Sequence, residues 1–311
     1  MLMYAVKRIL MLVPMLLAVI FLIFVLITAT PVTPGRMLLG PLATVEDVAL
    51  LNEQLGYTGN VFEMYFNYVR DLARGDFGVS FITRQPVMHD IAARWPATII
   101  LALLGLLVAI LIGVPLGIIA AVKHNSVIDR GLTALSILFM SMPIFWFAVM
   151  LMLYVGLRVD WLPTFWDGSF ESYILPALAL GVPFSGGFMR YTRGAMLDVI
   201  RSDFIRTAHA KGAAENRVIF IHALKNASLV IITIAGINLG ALLGGSVVIE
   251  NVFAINGIGR MALRALMSKD VPTIMACTIV LASVFMLMML LVDFIYAFID
   301  PRIKERYKLK N

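Results

Sequence analysis

RTAHAKGAAENRVIFIHALKNA, residues 206–227, is a charged stretch with helical spacing between two of the most apolar segments of the chain. The neighbouring segments, residues 172–189 and 227–249, contain no charged side chain. Apolar helices of about 20 residues are long enough to cross a bilayer. The stretch is therefore predicted to be a loop at the membrane surface, where this protein meets another molecule.

The composition of the whole chain agrees with a membrane location. Of its 311 residues, 61% are hydrophobic and 14% are charged, against about 45–50% and about 25% in soluble proteins. The net charge is +6, but the basic residues are scattered around apolar runs, so we expect no nucleic-acid partner. The one cysteine, Cys277, lies inside such a run and is interpreted as an apolar packing residue and not as part of a disulfide.

Six apolar runs predict six transmembrane helices in an all-α integral membrane protein. They are Ile9–Thr30, Ala97–Val122, Leu132–Leu157, Ser172–Met189, Ala227–Ile249 and Val271–Val292. The first run is longer than the apolar core of a signal peptide and is interpreted as an uncleaved helix. Ser172–Met189 contains two prolines and three glycines, which predict a kinked or broken helix.

The basic residues predict the orientation of these helices. With both termini inside, 16 lysines and arginines lie on the cytoplasmic side against six acids, whereas the outer loops hold nine against 12. This asymmetry follows the positive-inside rule and places residues 206–227 in the cytoplasm. Outside, residues 31–96 contain two helix-like pieces, the first with a capping box at Thr44 and Asp47, and residues 250–270 form a second loop that dips back toward the membrane.

The sequence lacks the common motifs for nucleotide binding and for metal binding. It has no phosphate-binding G-x-x-x-x-G-K-[ST] loop and no H-E-x-x-H pair, and its four histidines have no metal-ligand spacing. The spans carry no charged residue except Asp293, near the end of the last one, where an ion pair is the simpler explanation. A secondary transporter would need a coupling-ion site, and an intramembrane protease would need Ser185 or Ser246 as nucleophile with a nearby base. Both remain as alternatives.

Glycines repeat every four residues on one face of the fifth span, at Gly236, Gly240 and Gly244. Such spacing lets two helices approach closely. It indicates either packing within the bundle or contact with a partner subunit around a pathway, in which Asn238 and Ser246 are the polar groups. Gly113 and Gly117 repeat in the same way in the second span.

The charged stretch itself is predicted to form two short helices. The first is Asp203–Lys211, with Ser202 as N-cap and Gly212 as a left-handed terminator, and the second is Ala214–Asn226. An apolar side with small residues suits a groove of another protein. Its members are Phe204, Ile205, Ala208 and Gly212.

Several motifs in the same order resemble the permeases of ABC importers, in the dipeptide, oligopeptide and nickel branch. They are KRILMLVP (7–14), GDFGVSF (75–81), RQPV (84–87), YILPALALG (173–181), RTAxAKG (206–212), HALxNA (222–227), GGSVVIENVF (244–253), GIGR (257–260) and VDFIYAFIDPRI (292–303). The departures from the pattern of this branch are ATPVTP (29–34), Ile255-Asn256 and Met289. The first two lie on or near the outer side and leave the cargo open.

The resemblance implies a type I importer permease without an ATPase site of its own. Its implied partners are a second permease, two cytoplasmic ATPases that hold ATP and magnesium, and an extracytoplasmic binding protein, in a bacterial or archaeal cytoplasmic membrane. Peptides are the implied cargo, with nickel, a metal chelate, glutathione or an oligosaccharide as alternatives. The implied ATPase-coupling residues are Phe204, Ile205, Arg206, Thr207, Ala208, Ala210, Lys211, Gly212 and Glu215. The implied outer-loop residues are Glu250, Gly257, Gly259 and Arg260.

The predicted organisation has four parts. Residues 1–30 contain the first helix, 31–96 form an outer region, 97–299 form a five-helix core, and 300–311 are a cytoplasmic tail. The core includes the coupling loop 190–226 and the outer loop 250–270.

Overall fold

A computed structural model describes residues 2–29 and 33–299, without the side chains of residues 2–9, 12, 27–28 and 292–299. The predicted tail 300–311 and the side chain of Asp293 therefore lie outside the described residues. The chain divides into two compact units, Met1–Thr98 with Asn256–Met286, and Ile99–Ile255 with the residues from Leu287 onward.

The described residues form helices joined by loops and turns, as the apolar runs predicted. The helices are α1 (Leu2–Thr28), α2 (Pro34–Leu39), α3 (Val45–Gln54), α4 (Val61–Ala73), α5 (Val87–Val122), α6 (Val127–Ser141), α7 (Ile144–Leu151), α8 (Ile174–Ile200), α9 (Asp203–Ala210), α10 (Glu215–Arg217), α11 (Leu224–Val252), α12 (Ile258–Ser268) and α13 (Val271–Ile299). The all-α class is confirmed.

Four helical segments of the described chain are long and apolar enough to cross a membrane. They are Val87–Val122, Glu171–Ile200, Glu215–Val252 and Val271–Leu291. A fifth span arises if α6 and Ile144–Gly156 count as one. The predicted first span coincides with α1, where the described apolar part is Val13–Leu26.

The predicted third span, Leu132–Leu157, is not one straight helix. Its two halves meet at a bend of 97°, where Met142 and Pro143 adopt extended backbone conformations. Proline disfavours helical geometry in the residue before it, which explains why the helix stops at Ser141. The predicted third span is therefore a bent pair of helices.

The fourth span is longer than predicted and is not broken. It was predicted to be kinked or broken and its apolar run to end at Met189, but α8 is an unbroken helix that continues to Ile200, with Pro183 inside it; a kink at Pro183 stays a prediction. Pro176 falls in the first turn, where the missing N–H has no helical partner to lose. This helix is the most enclosed of the four segments named above, with 72% of its most apolar stretch buried against 22% for the α11 segment.

Close packing of α5 on α8 explains the glycines of the second span. A Cβ atom at Gly113 would lie 2.5 Å from the carbonyl oxygen of Ser185, and one at Gly117 would lie 2.6 Å from that of Met189. Real side chains do not tolerate such distances. These two glycines therefore serve packing within the chain, one of the two readings offered for glycine repeats.

The first unit contains the two predicted helices of the outer region. The hydroxyl of Thr44 accepts a hydrogen bond from the backbone N–H of Asp47 at 3.1 Å, which confirms the predicted cap of α3. Apolar side chains of α1 and α4 share a buried cluster with α13; its buried members are Ile20, Phe24, Met64, Phe81, Val271, Met275 and Ile279. Residues 250–270 contain α12, a helix that the sequence did not resolve.

Candidate functional site

The predicted coupling stretch forms a short helix followed by a sharp turn. Helix α9 begins after Ser202, whose backbone is extended (φ −77°, ψ 153°) as expected for an N-cap. The Ser202 hydroxyl does not cap α9, however, because it donates a hydrogen bond to the Val199 carbonyl at 2.6 Å. Ser202 therefore closes the end of α8 instead.

The turn after α9 is a Schellman motif. Gly212 has φ of +78°, and its N–H donates to the carbonyl of His209 at 2.9 Å, while the N–H of Ala213 donates to that of Ala208 at 3.2 Å. A positive φ costs little only for glycine and is tolerated by few other residues. The predicted role of Gly212 as a left-handed terminator is confirmed.

The second predicted helix, Ala214–Asn226, is not a separate element. Residues from Glu215 onward form α10, a π-helical turn over Val218–Ala223, and then α11 without interruption. The fifth span and the second half of the coupling stretch are thus one helical segment of 38 residues. A displacement of the turn at Gly212 would act directly on this span.

Ile205 corrects the predicted assignment of faces on α9. Its side chain is 1% exposed and lies in a core built by α5, α8 and the π-helical turn, with Met196 and Val218 among the buried members. Ala208 packs partly buried against the same core. Ile205 is therefore an internal anchor of α9 and is not available to a partner protein in this structure.

Residues 202–226 are called the elbow below, and the other predicted coupling residues lie on its accessible side. Phe204 is 47% exposed although it is aromatic. The remaining exposed members are Arg206, Thr207, Ala210, Lys211, Gly212 and Glu215. An exposed aromatic side chain among small and charged residues fits a protein contact, and the coupling role of these residues stays a prediction.

An ion pair that the sequence did not predict connects the part of α8 that precedes the elbow to the start of α6. Arg193 on α8 donates from Nε and Nη2 to the two carboxylate oxygens of Asp129, at 2.6 and 2.8 Å. His124 lies between two arginines, with Nδ1 3.2 Å from Nη2 of Arg193 and Nε2 3.3 Å from Nη2 of Arg201. Asp129 and Arg193 are 64 positions apart, so no local pattern could have linked them.

The predicted pathway residues of α11 differ in exposure. Gly244 is exposed with open space where a Cβ atom would stand, whereas Gly240 is buried and Gly236 is half-buried. Asn238 and the buried Ser246 donate to carbonyls of their own helix, those of Ile234 and Leu243. Gly244 is thus free to meet a partner helix, while Ser246 does not face a pathway in this structure.

The predicted outer-loop residues serve different local roles. Glu250 is fully buried near the end of α11. In the first unit, Gly257 precedes α12, Gly259 is buried in its first turn, and the N–H of Ile258 between them donates to the Thr98 hydroxyl at 2.8 Å. Arg260 is half-buried and faces a cavity.

The side-chain geometry gives no support to the protease or the secondary transporter, the two alternatives that the sequence left open. The hydroxyls of Ser185 and Ser246 donate to the carbonyls of Val182 and Leu243 within their own helices. Within the described residues, no three side chains from His, Cys, Asp and Glu come together as a metal site.

Two family descriptions together match nearly the whole chain. Residues 113–305 match the binding-protein-dependent transport system inner membrane component family. Residues 1–102 match the amino-terminal domain of the same kind of membrane component.

Curated relatives and solved structures agree with this match. The chain is 38% identical over 308 residues to the glutathione transport system permease protein GsiC of Salmonella typhimurium, covering 99% of this chain and 100% of that protein. It is 37% identical to GsiC of Escherichia coli K12 over the same coverage. Its fold is similar to a chain of the inward-facing MetNI methionine ABC transporter, with a TM-score of 0.60, 19% identity and coverage of 69% of this chain and 98% of that one.

The elbow, the apolar helices and the full-length match lead to one conclusion. The chain belongs to the inner membrane components of binding-protein-dependent transport systems, and it is an ABC importer permease of the peptide and nickel family.

Proposed function

We propose that this chain pairs with a second, homologous permease to form the pathway of an importer for short peptides, with glutathione as the first cargo to test. Two cytoplasmic ATPases, which hold ATP and magnesium, would drive the pair, and an extracytoplasmic binding protein would deliver the cargo. Full-length similarity to glutathione permeases is the observation that carries the choice of cargo.

The elbow supplies the mechanical link in this proposal. Its exposed side offers Phe204 and Thr207 to an ATPase groove, while Ile205 fastens the helix to the core of α5 and α8. Closure of the ATPases on ATP would push α9, and the turn at Gly212 would pass the movement to the continuous α10–α11 segment. The spans would then open the pathway outward.

Both termini are proposed to be cytoplasmic, because this orientation places the elbow and most basic residues on the ATPase side. A reporter enzyme fused after Asn311 would be active in the cytoplasm. Activity on the outer side would overturn the orientation and, with it, the role of the elbow.

The transport activity can be tested in the complete complex. Both permeases, the ATPases and the binding protein would be reconstituted in liposomes with the ATPases facing the lumen. We expect uptake of labelled glutathione or a labelled dipeptide that requires ATP inside the liposomes. Uptake of nickel alone would move the cargo to a metal. Uptake by this chain without ATPases, driven by a proton or sodium gradient, would overturn the proposal in favour of a secondary transporter.

Crosslinking tests the contact itself. Thr207→Cys and Ala210→Cys, both on the accessible side of α9, are expected to crosslink to cysteines placed in the ATPase groove. Val79→Cys, 50% exposed on the predicted outer side, is the control and should give no such product. Absence of crosslinks at both α9 positions would contradict the elbow contact.

A further inference from the structure

A histidine connects the turn between α5 and α6 to the end of α8, next to the elbow. Nδ1 of His124 lies 3.4 Å from Oδ2 of Asp129 and 3.2 Å from Nη2 of Arg193. Its Nε2 lies 3.3 Å from Nη2 of Arg201, the residue that follows α8. These residues all belong to the second unit. Both ring nitrogens therefore have charged neighbours, and the chemistry of these neighbours decides which nitrogen carries the proton.

The turn that contains His124 is held in place by several hydrogen bonds. Asn125 has a left-handed backbone with φ of +62°, which asparagine tolerates better than most residues. Its N–H donates to the Asp129 carboxylate at 2.9 Å, and the N–H of Asp129 donates to the Ser126 hydroxyl at 3.2 Å. Arg193 of α8 binds the same carboxylate through two nitrogens. The imidazole is therefore attached to a turn that is itself fixed to α8.

The contacts of the ring select one tautomer. A guanidinium group has N–H donors and no acceptor, so Arg201 can bind Nε2 only if this nitrogen offers its lone pair. A neutral imidazole has one N–H and one lone pair, which places the proton on Nδ1, where it donates to the Asp129 carboxylate. Nη2 of Arg193 donates to the same oxygen at 2.8 Å, so its contact with Nδ1 joins two donors that share an acceptor. The ring thus links the carboxylate of Asp129 to the guanidinium of Arg201.

A second proton on the ring would break this link at one end. A protonated imidazole is a donor at both nitrogens, so Nε2 would present an N–H and a positive charge to Arg201, while Nδ1 would keep its bond to Asp129. The side chain of His124 is 31% exposed, so a proton from solvent can reach it. Arg201 is exposed and would turn into solvent. The charged groups that contact the ring are Asp129 from α6 and Arg193 and Arg201 from α8, and the charged residues next to them, Lys123, Arg130 and Asp198, are exposed.

Arg201 lies at the junction of α8 and the elbow. Its N–H donates to the carbonyl of Leu197 in the last turn of α8, at 3.2 Å, and the elbow begins with Ser202. Ile205 fastens α9 to an apolar core. The link through His124 is a second attachment, made of polar groups, and it connects the junction to the turn between α5 and α6. A movement of α9 would pass through both attachments.

We propose that His124 is a positioning residue for the coupling of ATP hydrolysis to import. As a neutral ring with its proton on Nδ1, it joins Asp129 to Arg201 and holds the junction of α8 and the elbow; a proton on Nε2 releases the junction. This inference rests on the proposed function, because it requires that ATPases push on the elbow. The amount of cargo imported per ATP hydrolysed therefore depends on the pH of the cytoplasmic side.

Two substitutions separate the two ring nitrogens. Glutamine places its amide at the position of Nε2, where the oxygen can accept from Arg201 and takes up no proton near neutral pH. Asparagine places its amide at the position of Nδ1 and does not reach Arg201.

The ratio of cargo imported to ATP hydrolysed would be measured for the complete complex in liposomes with the ATPases facing the lumen. The lumenal pH would be varied from about 8 to about 6, a range in which histidines change charge. We expect the ratio of the unmodified complex to fall as the pH is lowered. His124→Gln should keep the normal ratio at the higher pH and lose the decline, whereas His124→Asn should have a ratio about two- to fivefold lower throughout.

The control makes the same change at another histidine. His89 is exposed near the start of α5 and belongs to the first unit, so His89→Gln should keep the pH dependence of the unmodified complex. A pH dependence in His124→Gln equal to that of the unmodified complex would overturn the proposal. A normal ratio for His124→Asn at the higher pH would also overturn it, since the link to Arg201 would then carry no movement.

Nitrogen NMR of the complex with isotope-labelled histidine gives a readout that a change in stability does not imitate. The signals that disappear in His124→Gln should come from a ring with its proton on Nδ1 at the higher pH. A proton on Nε2 would overturn the link even if uptake were normal. If the unmodified complex imports nothing, the proposed function fails, while the NMR result still decides the state of His124.

Discussion

Arg193 and Asp129 form a buried, two-pronged ion pair that connects α8 to the start of α6, with N–O distances of 2.6 and 2.8 Å. The side chain of Asp129 is 4% exposed and that of Arg193 is 27% exposed. The N–H of Asn125 also donates to Asp129, at 2.9 Å. The pair therefore fixes the turn before α6 against the part of α8 that leads into the elbow.

Removal of one charge from this pair should destabilise the protein. Asp129→Asn leaves the arginine next to a neutral amide in a mostly buried place, so we expect a loss of about 2–3 kcal/mol. The midpoint of thermal unfolding of the purified protein in detergent would report it. The double change Asp129→Asn with Arg193→Gln should recover part of the loss.

The matched control is the exposed pair Asp203–Arg206 on α9, whose side chains are 96% and 79% exposed at 3.6 Å. Exposed ion pairs contribute little, so Asp203→Asn should not shift the midpoint. Equal shifts for both variants would show that burial of the Asp129 pair does not matter for stability.

Ile205 and Phe204 are neighbours in sequence with different expected roles. Ile205→Ala removes a fully buried side chain from the core beneath α9, and such changes cost about 2–5 kcal/mol. Phe204→Ala removes a half-exposed ring and should leave the unfolding midpoint nearly unchanged while uptake by the complete complex falls. The two variants therefore separate anchoring from coupling.

The measurements for this pair are thermal unfolding of the single chain and ATP-dependent uptake by the complex. A strong loss of stability in Phe204→Ala would place that ring in the protein core. Normal uptake in Phe204→Ala would remove it from the contact with the ATPase.

Hydropathy alone was sufficient to locate the four described segments that are long enough to cross a membrane, because apolar runs of this length have few other uses. It could not locate the 97° bend between α6 and the following segment, since residues 132–157 contain no charged side chain and only Pro143 marks the break. The prolines and glycines of the fourth span predicted a kinked or broken helix, but α8 is not broken at Pro183.

In the elbow, too, the sequence was sufficient to predict one feature and not another. Gly212 could be predicted, since a left-handed turn after a short helix favours glycine for local steric reasons. The direction of Ile205 could not, because an apolar side chain on a short helix suits the core of its own chain as well as a partner's groove. The links Asp129–Arg193 and Ser80–Asp270 join residues 64 and 190 positions apart, and only the folded chain brings them together.

Gly117 should be intolerant of even one added methyl group. A Cβ atom there would lie 2.6 Å from the Met189 carbonyl oxygen, so Gly117→Ala must push α5 away from α8. Overpacking of this kind costs about 1–3 kcal/mol, measurable as a lower unfolding midpoint in detergent. Gly131→Ala is the matched control, since its Cβ atom would meet nothing within 4 Å, and it should be neutral or slightly stabilising.

Gly212→Val should uncouple ATP hydrolysis from uptake while the complex still assembles. Space is not the obstacle, because a Cβ atom at Gly212 would meet nothing within 4 Å; the obstacle is its φ of +78°. A left-handed backbone costs other residues about 1–2 kcal/mol, and a branched residue adopts it least readily. The turn between α9 and α10 would then relax to another angle and pass less movement to α11. The ratio of cargo imported to ATP hydrolysed measures this effect. Gly212→Asn is the control, since asparagine tolerates positive φ and the variant should retain most of the ratio. An unchanged ratio in Gly212→Val would show that the turn transmits no work.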